Sequence, residues 1–331
     1  MKREMMLLTL LVVGLIFLTG CDSSKPKTSV GEHLESLTLG IPDSKELSAL
    51  IWIAEDRGYF DERRLKINVK SSESGLATTK DLLTGTVDLG TCAEVVAARR
   101  ILERTGLRII TSLCKFDIVK LVARRDHGIS QISDIRHKRI GILRGSTTEY
   151  CLDLLMVMQN IPYQEVEKVD LSPSEQVKAL SKGEVDAVIT WEPFISELSN
   201  KLGTNAVSLS AQGGQSFYWL LLGTEDTIKK RMHAIKDFLS ALASAEEYTK
   251  NHNEEAERIV ARKLGYQHVG SMWKESQFKM DLGRPLILAM EAEMRWMNPD
   301  LQSENNIPDI TDFIYFDASN SVQPGRIKLL H

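Results

Sequence analysis

Between residues 36 and 113 the chain switches repeatedly between two periods. Leu37, Leu39 and Ile41 alternate with Ser36, Thr38 and Gly40, which predicts a strand with one buried face. Leu47, Leu50, Ile51 and Ala54 then recur at helical spacing, and Gly58 supplies a left-handed stop before Tyr59-Phe60. The exchange repeats with a strand at 65–69, a helix at 77–83 ending at Gly85, a strand at 87–91, a helix at 93–104 and a strand at 107–113. Strands separated by helices tend to lie parallel with the helices packed on their faces, so this half predicts an α/β layer.

A second series begins near Ala123. It predicts strands at 139–143, 166–171 and 185–189, with helices at 148–159 and 194–202 between and after them. One further helix opens at Ser172-Pro173-Ser174-Glu175, where Ser172 is the N-cap, Pro173 holds the first helical position and Glu175 closes a capping box. Beyond Tyr218 come one apolar strand, 219–222, and long amphipathic helices that cover the first layer. The expected organisation is a first lobe from 36–122 and 219–331, a second lobe from 123–218, and crossings near 122–125 and 210–219. No repeat of 20–50 residues interrupts it.

The N-terminus changes the picture. Lys2 and Arg3 precede an apolar run over 5–18, short for a permanent span and suited to an export signal over 1–20. Leu18-Thr19-Gly20-Cys21 resembles the lipobox of bacterial lipoproteins, which implies lipidation of Cys21 and a tether over 21–35 rich in Ser, Lys, Pro and Thr. With 41 basic and 45 acidic residues the formal charge is -4, which leaves no basic surplus for a nucleic-acid backbone. Cys92, Cys114 and Cys151 remain for at most one internal disulfide, and no Cys or His spacing predicts a metal site or cofactor.

Five stretches carry a resemblance: GIPDSKELSALIWIAEDRGYFDERRLKINV, LLTGTVDLGTCAE, VARRDHGISQISDIRHKRIGILRGSTTEYCLDLL, ALSKGEVDAVITWEPF and ITDFIYFDASNSVQPGRI. In that order they resemble the extracytoplasmic solute-binding proteins of the nitrate, sulfonate, taurine and thiamine-precursor ABC importers. The resemblance implies the two-lobed "Venus flytrap" of type II periplasmic binding proteins, each lobe a mainly parallel sheet flanked by helices. It also implies a monomer, tethered to the membrane by lipid, that captures a small anionic or amphoteric ligand and delivers it to an ABC permease driven by a cytoplasmic ATPase. A lipoprotein signalling to a membrane kinase is the first alternative, and a pyrimidine-precursor synthase-like enzyme is the second.

In open α/β sheets a ligand sits beyond the carboxyl ends of the strands, where turns feed helix N-termini. Gly145 lets the backbone approach, and Ser146, Thr147 and Thr148 add hydroxyls at a positive dipole end, although such residues also cap their own helices. Thr91 and Cys92 are the matching candidates in the first lobe. Trp191 and Glu192 follow the strand at 185–189, Trp191 as a wall and Glu192 as an acceptor for an ammonium or hydroxyl. Ser44, Ser48 and Trp52 in the first turn, and Ser74 after the second strand, complete the set.

Overall fold

The computed structural model describes residues 34–299 and 307–322. The expected signal, Cys21 and the tether up to residue 33 lie outside the described residues, as does 323–327 of the fifth motif. No helix among the described residues is long and apolar enough to cross a membrane.

The first half runs β1 (Glu35–Pro42), α1 (Ala49–Asp56), β2 (Leu65–Ser72), α2 (Gly75–Leu83), β3 (Leu89–Ala93), α3 (Glu94–Leu102) and β4 (Leu107–Phe116). The middle runs β5 (Lys120–Arg124), β6 (Arg139–Ile142), α4 (Thr147–Met158), β7 (Glu167–Asp170), α5 (Pro173–Lys182), β8 (Ala187–Thr190), α6 (Phe194–Leu202) and β9 (Ala206–Ser210). The last part runs β10 (Phe217–Thr224), α7 (Glu225–Lys230), α8 (Met232–Asn251), α9 (Asn253–Leu264), α10 (Ser271–Lys274), β11 (Ser276–Phe278), α11 (Arg284–Met297) and α12 (Phe316–Val322).

Two sheets result, ordered β11-β4-β10-β3-β1-β2 and β7-β6-β8-β5-β9. The α/β architecture agrees with the alternation, but both sheets are mixed. β2, β1 and β3 are parallel, as are β7, β6 and β8. The strands on either side of each crossing, β4 and β10 in one sheet and β5 and β9 in the other, pair antiparallel. The periodicity of a strand does not reveal its direction, and a chain that leaves one sheet for another and returns brings β5 and β10 in against their neighbours.

The sheet change falls earlier than expected, at 117–119, because β5 already starts at Lys120 and buries Leu121, Val122 and Ala123 between β8 and β9. The return is at 211–216. Buried Gln212 stitches the two crossings together: its side chain accepts from Val119 N at 2.8 Å and donates to Phe116 O at 3.1 Å and Gln215 O at 2.9 Å.

Local rules hold where they were well specified. Ser172, Pro173 and Glu175 form the capping box of α5, and Gly58 sits at φ +73°. Leu37, Leu39 and Ile41 are fully buried, each worth roughly 1.5–3 kcal/mol of removed apolar surface. The largest apolar cluster is continuous across both sheets, joining Leu39 and Ile110 to Ile140 and Ile189. Cys92, Cys114 and Cys151 are buried and free, so none of the three forms the internal disulfide that the sequence left open.

Candidate functional site

Four of the parallel strands, β1, β3, β6 and β8, hand their carboxyl ends to one cavity of about 40 Å³. Pro42 ends β1, Ala93 ends β3, Leu143 follows β6 and Trp191 follows β8; all four line it, with Ile118 and Val119 of the first crossing and Trp219 of β10. Among the described residues the wall consists of ten apolar side chains, Gly75, and the hydroxyls of Ser44, Ser74, Ser146 and Thr147. Such a space holds a few water-sized particles, so it fits a group of a few heavy atoms without any movement of the sheets.

Three helices begin at this cavity. Ser74 is the N-cap of α2, Ala93 that of α3 and Ser146 that of α4. Helix N-termini concentrate unpaired N–H groups and partial positive charge, so their convergence suits an anion or a strong acceptor. Gly145, at φ +80°, lets the chain turn into α4. Arg99 of α3 donates from Nε to Gly145 O at 3.1 Å, and Glu73, in the turn before α2, accepts from Ser174 N of α5 at 3.1 Å, so both bonds tie turns and helices of the first sheet to those of the second.

The tryptophans divide by the state of their indole N–H. Trp52 donates to Lys45 O at 2.7 Å and Trp219 donates to Ser48 Oγ at 3.1 Å. The Trp191 N–H is buried with no partner, on a side chain that lines the cavity. A buried donor without an acceptor costs about 1–3 kcal/mol, which an acceptor atom on a ligand recovers.

The model of the family described as NMT1/THI5 like matches residues 47–256, well over half of the chain. The chain belongs to the NMT1/THI5-like family. Its relatives include a binding protein of Brucella abortus, 20% identical over 216 residues that cover 64% of this chain. That match spans 66% of the relative's own length, just under two thirds. The taurine-binding periplasmic protein of Escherichia coli is 23% identical over 196 residues, 58% of this chain and 60% of that one. In fold the chain is similar to the periplasmic aliphatic sulphonate binding protein of Escherichia coli, with TM-score 0.67, 16% identity, 86% of this chain and 98% of the other. A desulfurization enzyme shares the fold too, with TM-score 0.63, 16% identity, 87% of this chain and 99% of that one.

Within this NMT1/THI5-like protein the residues singled out from sequence separate into two groups. Ser44, Ser74, Ser146, Thr147 and Trp191 lie on the cavity wall. The others lie behind it or beside it. Thr91 and Cys92 belong to the interior of β3, which extends to Ala93, two residues beyond the expected strand end; both are fully buried, and Cys92 packs under Gly75. Thr148 faces back to accept from Leu143 N at 2.9 Å. Ser48 receives the Trp219 N–H, and Trp52 is buried in the apolar core, because the first turn continues into α1 before their side chains reach the opening.

Glu192 accepts from Ser196 N at 3.1 Å and from Ser196 Oγ at 3.0 Å at the start of α6, and it lines a neighbouring groove instead of the cavity. Ser146 does what its sequence context also allowed: its hydroxyl donates to Leu143 O at 2.7 Å and accepts from Thr148 N at 3.2 Å while its side chain forms part of the wall. Leu47, Phe116, Ile118 and Trp219 line the cavity without having been singled out. They read as ordinary core positions in the sequence.

Proposed function

We propose that this protein is an extracytoplasmic solute-binding protein, held to the membrane by a lipid on Cys21, that captures a small anionic or amphoteric molecule and passes it to an ABC permease. The ligand class is that of sulfonates, taurine, nitrate or pyrimidine precursors. The observation that carries the reading is the convergence of three helix N-termini and the unpartnered Trp191 N–H on one cavity between the two sheets. The names of the taurine- and sulphonate-binding relatives point the same way.

In this reading Ser44, Ser74 and Thr147 donate hydroxyls, Trp191 donates its N–H, and the helix dipoles hold the charge without a Lys or Arg at the wall. Thr91, Cys92, Thr148, Ser48 and Trp52 support the wall from behind. Closure of the lobes gives contacts from both sides at once, and those contacts are what shift the equilibrium toward the closed form. Titration calorimetry with ethanesulfonate, taurine, nitrate and a hydroxymethylpyrimidine tests this reading. Saturable binding of at least one is expected, and a folded protein that binds none refutes it. Because a desulfurization enzyme shares the fold, mass spectrometry of the bound compound after prolonged incubation is the companion measurement. Unchanged mass is the expected result, and turnover overturns the transport reading.

A further inference from the structure

The three helices that start at the cavity are not capped alike. Ser74 Oγ accepts from Ala77 N at 3.3 Å and Ser146 Oγ from Thr148 N at 3.2 Å, so α2 and α4 each have a donor satisfied by their own cap. The N-cap of α3 is Ala93, whose methyl group accepts nothing. Ala93 and Val96 both line the cavity, so the uncapped first turn of α3 borders it. Of the three dipole ends, this is the one left most open to an anion.

The first residue of α3 is Glu94. A first-turn glutamate ordinarily stands in water, ionised, and stabilises the helix dipole. Glu94 is 0% exposed, and neither of its carboxyl oxygens has a hydrogen-bond partner, although the N–H groups of Tyr218 and of Glu94 itself approach it. Glu293 of α11 is buried close enough for the two charges to act on each other, and its Oε2 is likewise unpartnered.

The surroundings give a charge on Glu94 nothing to pair with. It would act on Cys92 of β3, Cys114 of β4, Tyr150 and Cys151 of α4, Tyr218 of β10 and Glu293, none of which is a cation. The two cations of α3 are engaged elsewhere, Arg99 with Gly145 O and Arg100 with Glu103 at 2.7 Å. Lys115 lines a surface pocket that Glu293 also borders, without an ion pair between them. Burial therefore holds the Glu94 carboxyl well above the usual carboxylate range, and burial together with the charge of Glu94 does the same to Glu293.

We propose that the proton on Glu94 controls the anion site. With it in place, the free N–H groups and partial positive charge at the start of α3 serve the ligand. Without it, a carboxylate inside the first turn takes that role, cancels the dipole and repels the anion across the Ala93 wall. This inference rests on the solute-binding reading and adds its regulation: the anion is held at low pH and released as pH rises. The converse follows by reciprocity. A bound anion makes the proton harder to remove, so binding draws in a proton wherever Glu94 is partly ionised.

The test is titration calorimetry of the full chain with ethanesulfonate and nitrate, whose charge is fixed across the range. It is run in steps from about pH 5 to about pH 10 and in buffers of different ionisation enthalpy. Wild-type affinity should fall by about tenfold or more toward the alkaline end, the scale of two like charges roughly 10 Å apart at the effective dielectric of a protein. Proton uptake on binding accompanies the fall. Glu94→Gln and the apolar Glu94→Met keep the acid-side affinity throughout and take up no proton, whereas Glu293→Gln retains the fall because Glu94 is intact. Circular dichroism at each pH establishes that the chains are folded, and Glu94→Met carries the comparison if the buried amide of Glu94→Gln prevents folding. Wild-type affinity that stays flat or rises with pH, or a fall that survives in a folded Glu94 variant, overturns the inference and leaves the solute-binding reading intact. So does saturable binding of a hydroxymethylpyrimidine with neither anion bound. No binding of either anion, of taurine or of the pyrimidine at any pH overturns both.

Discussion

Glu46 gives a stability prediction that needs no ligand. In the unfolded chain its carboxyl loses its proton near the ordinary 4.5, whereas in the fold burial holds the proton to about 8. Between those values the folded state carries the extra proton, so Glu46 contributes a stability that is complete below pH 4.5, falls as pH rises, and is gone above about 8. At about 1.4 kcal/mol per pH unit, full ionisation in place costs on the order of 4–5 kcal/mol. That is a large share of the roughly 5–15 kcal/mol by which a folded protein of this kind is stable.

Glu46→Gln keeps the shape and removes the titration. The amide carries a constant penalty of about 1–3 kcal/mol if it too finds no partner, but that offset does not vary with pH. The stability of the variant minus that of the wild type therefore climbs by about 4 kcal/mol between pH 4 and pH 9. Urea unfolding at stepped pH, extrapolated to water, measures this difference. Burial also raises Glu94 and Glu293, but both titrate alike in the two proteins and cancel. A difference that stays flat within about 1 kcal/mol across the range refutes the buried, unpartnered carboxyl.

Three further outcomes are expected. Ser146→Ala removes the N-cap of α4 and should cost about 1 kcal/mol in urea melts; because the same hydroxyl forms part of the cavity wall, calorimetry should also show weaker ligand binding, and unchanged stability with unchanged affinity counts against both roles. Gln212→Ala strips three hydrogen bonds from the paired crossings, so a loss of roughly 3 kcal/mol is expected, with faster amide exchange at Val119; exchange that stays as slow as in the wild type removes Gln212 from that role. In a Cys21→Ser chain, Cys92, Cys114 and Cys151 should stay inert to a disulfide reagent until urea unfolds the protein, because burial raises all three thiols; a thiol that reacts at once in buffer contradicts their placement.

The sequence by itself determined what depends on near neighbours. The burial pattern of β1, the stop at Gly58 and the capping box at Ser172 follow from spacing within a few residues, and each appears in the structure where expected. The order of strands and helices was legible for the same reason, and so was the cluster of hydroxyls at the start of α4. Strand direction was not, because a period of two is the same for a strand running either way, and the antiparallel pairing of β5 and β10 comes from the chain's path between sheets. Nor was the exact end of β3: a shift of two residues puts Ala93 at the cavity and retires Thr91 and Cys92 to the interior.

Only the tertiary structure brought Glu46 and Glu192 to one groove and left Glu46 without a partner. In sequence Glu46 is an ordinary charged residue in a first turn. Its burial is a property of what folds over it from the second sheet and from the segment after α9, and no local pattern encodes contacts between positions so far apart in the chain. What a residue is follows from the order of the chain; what it meets is decided by packing.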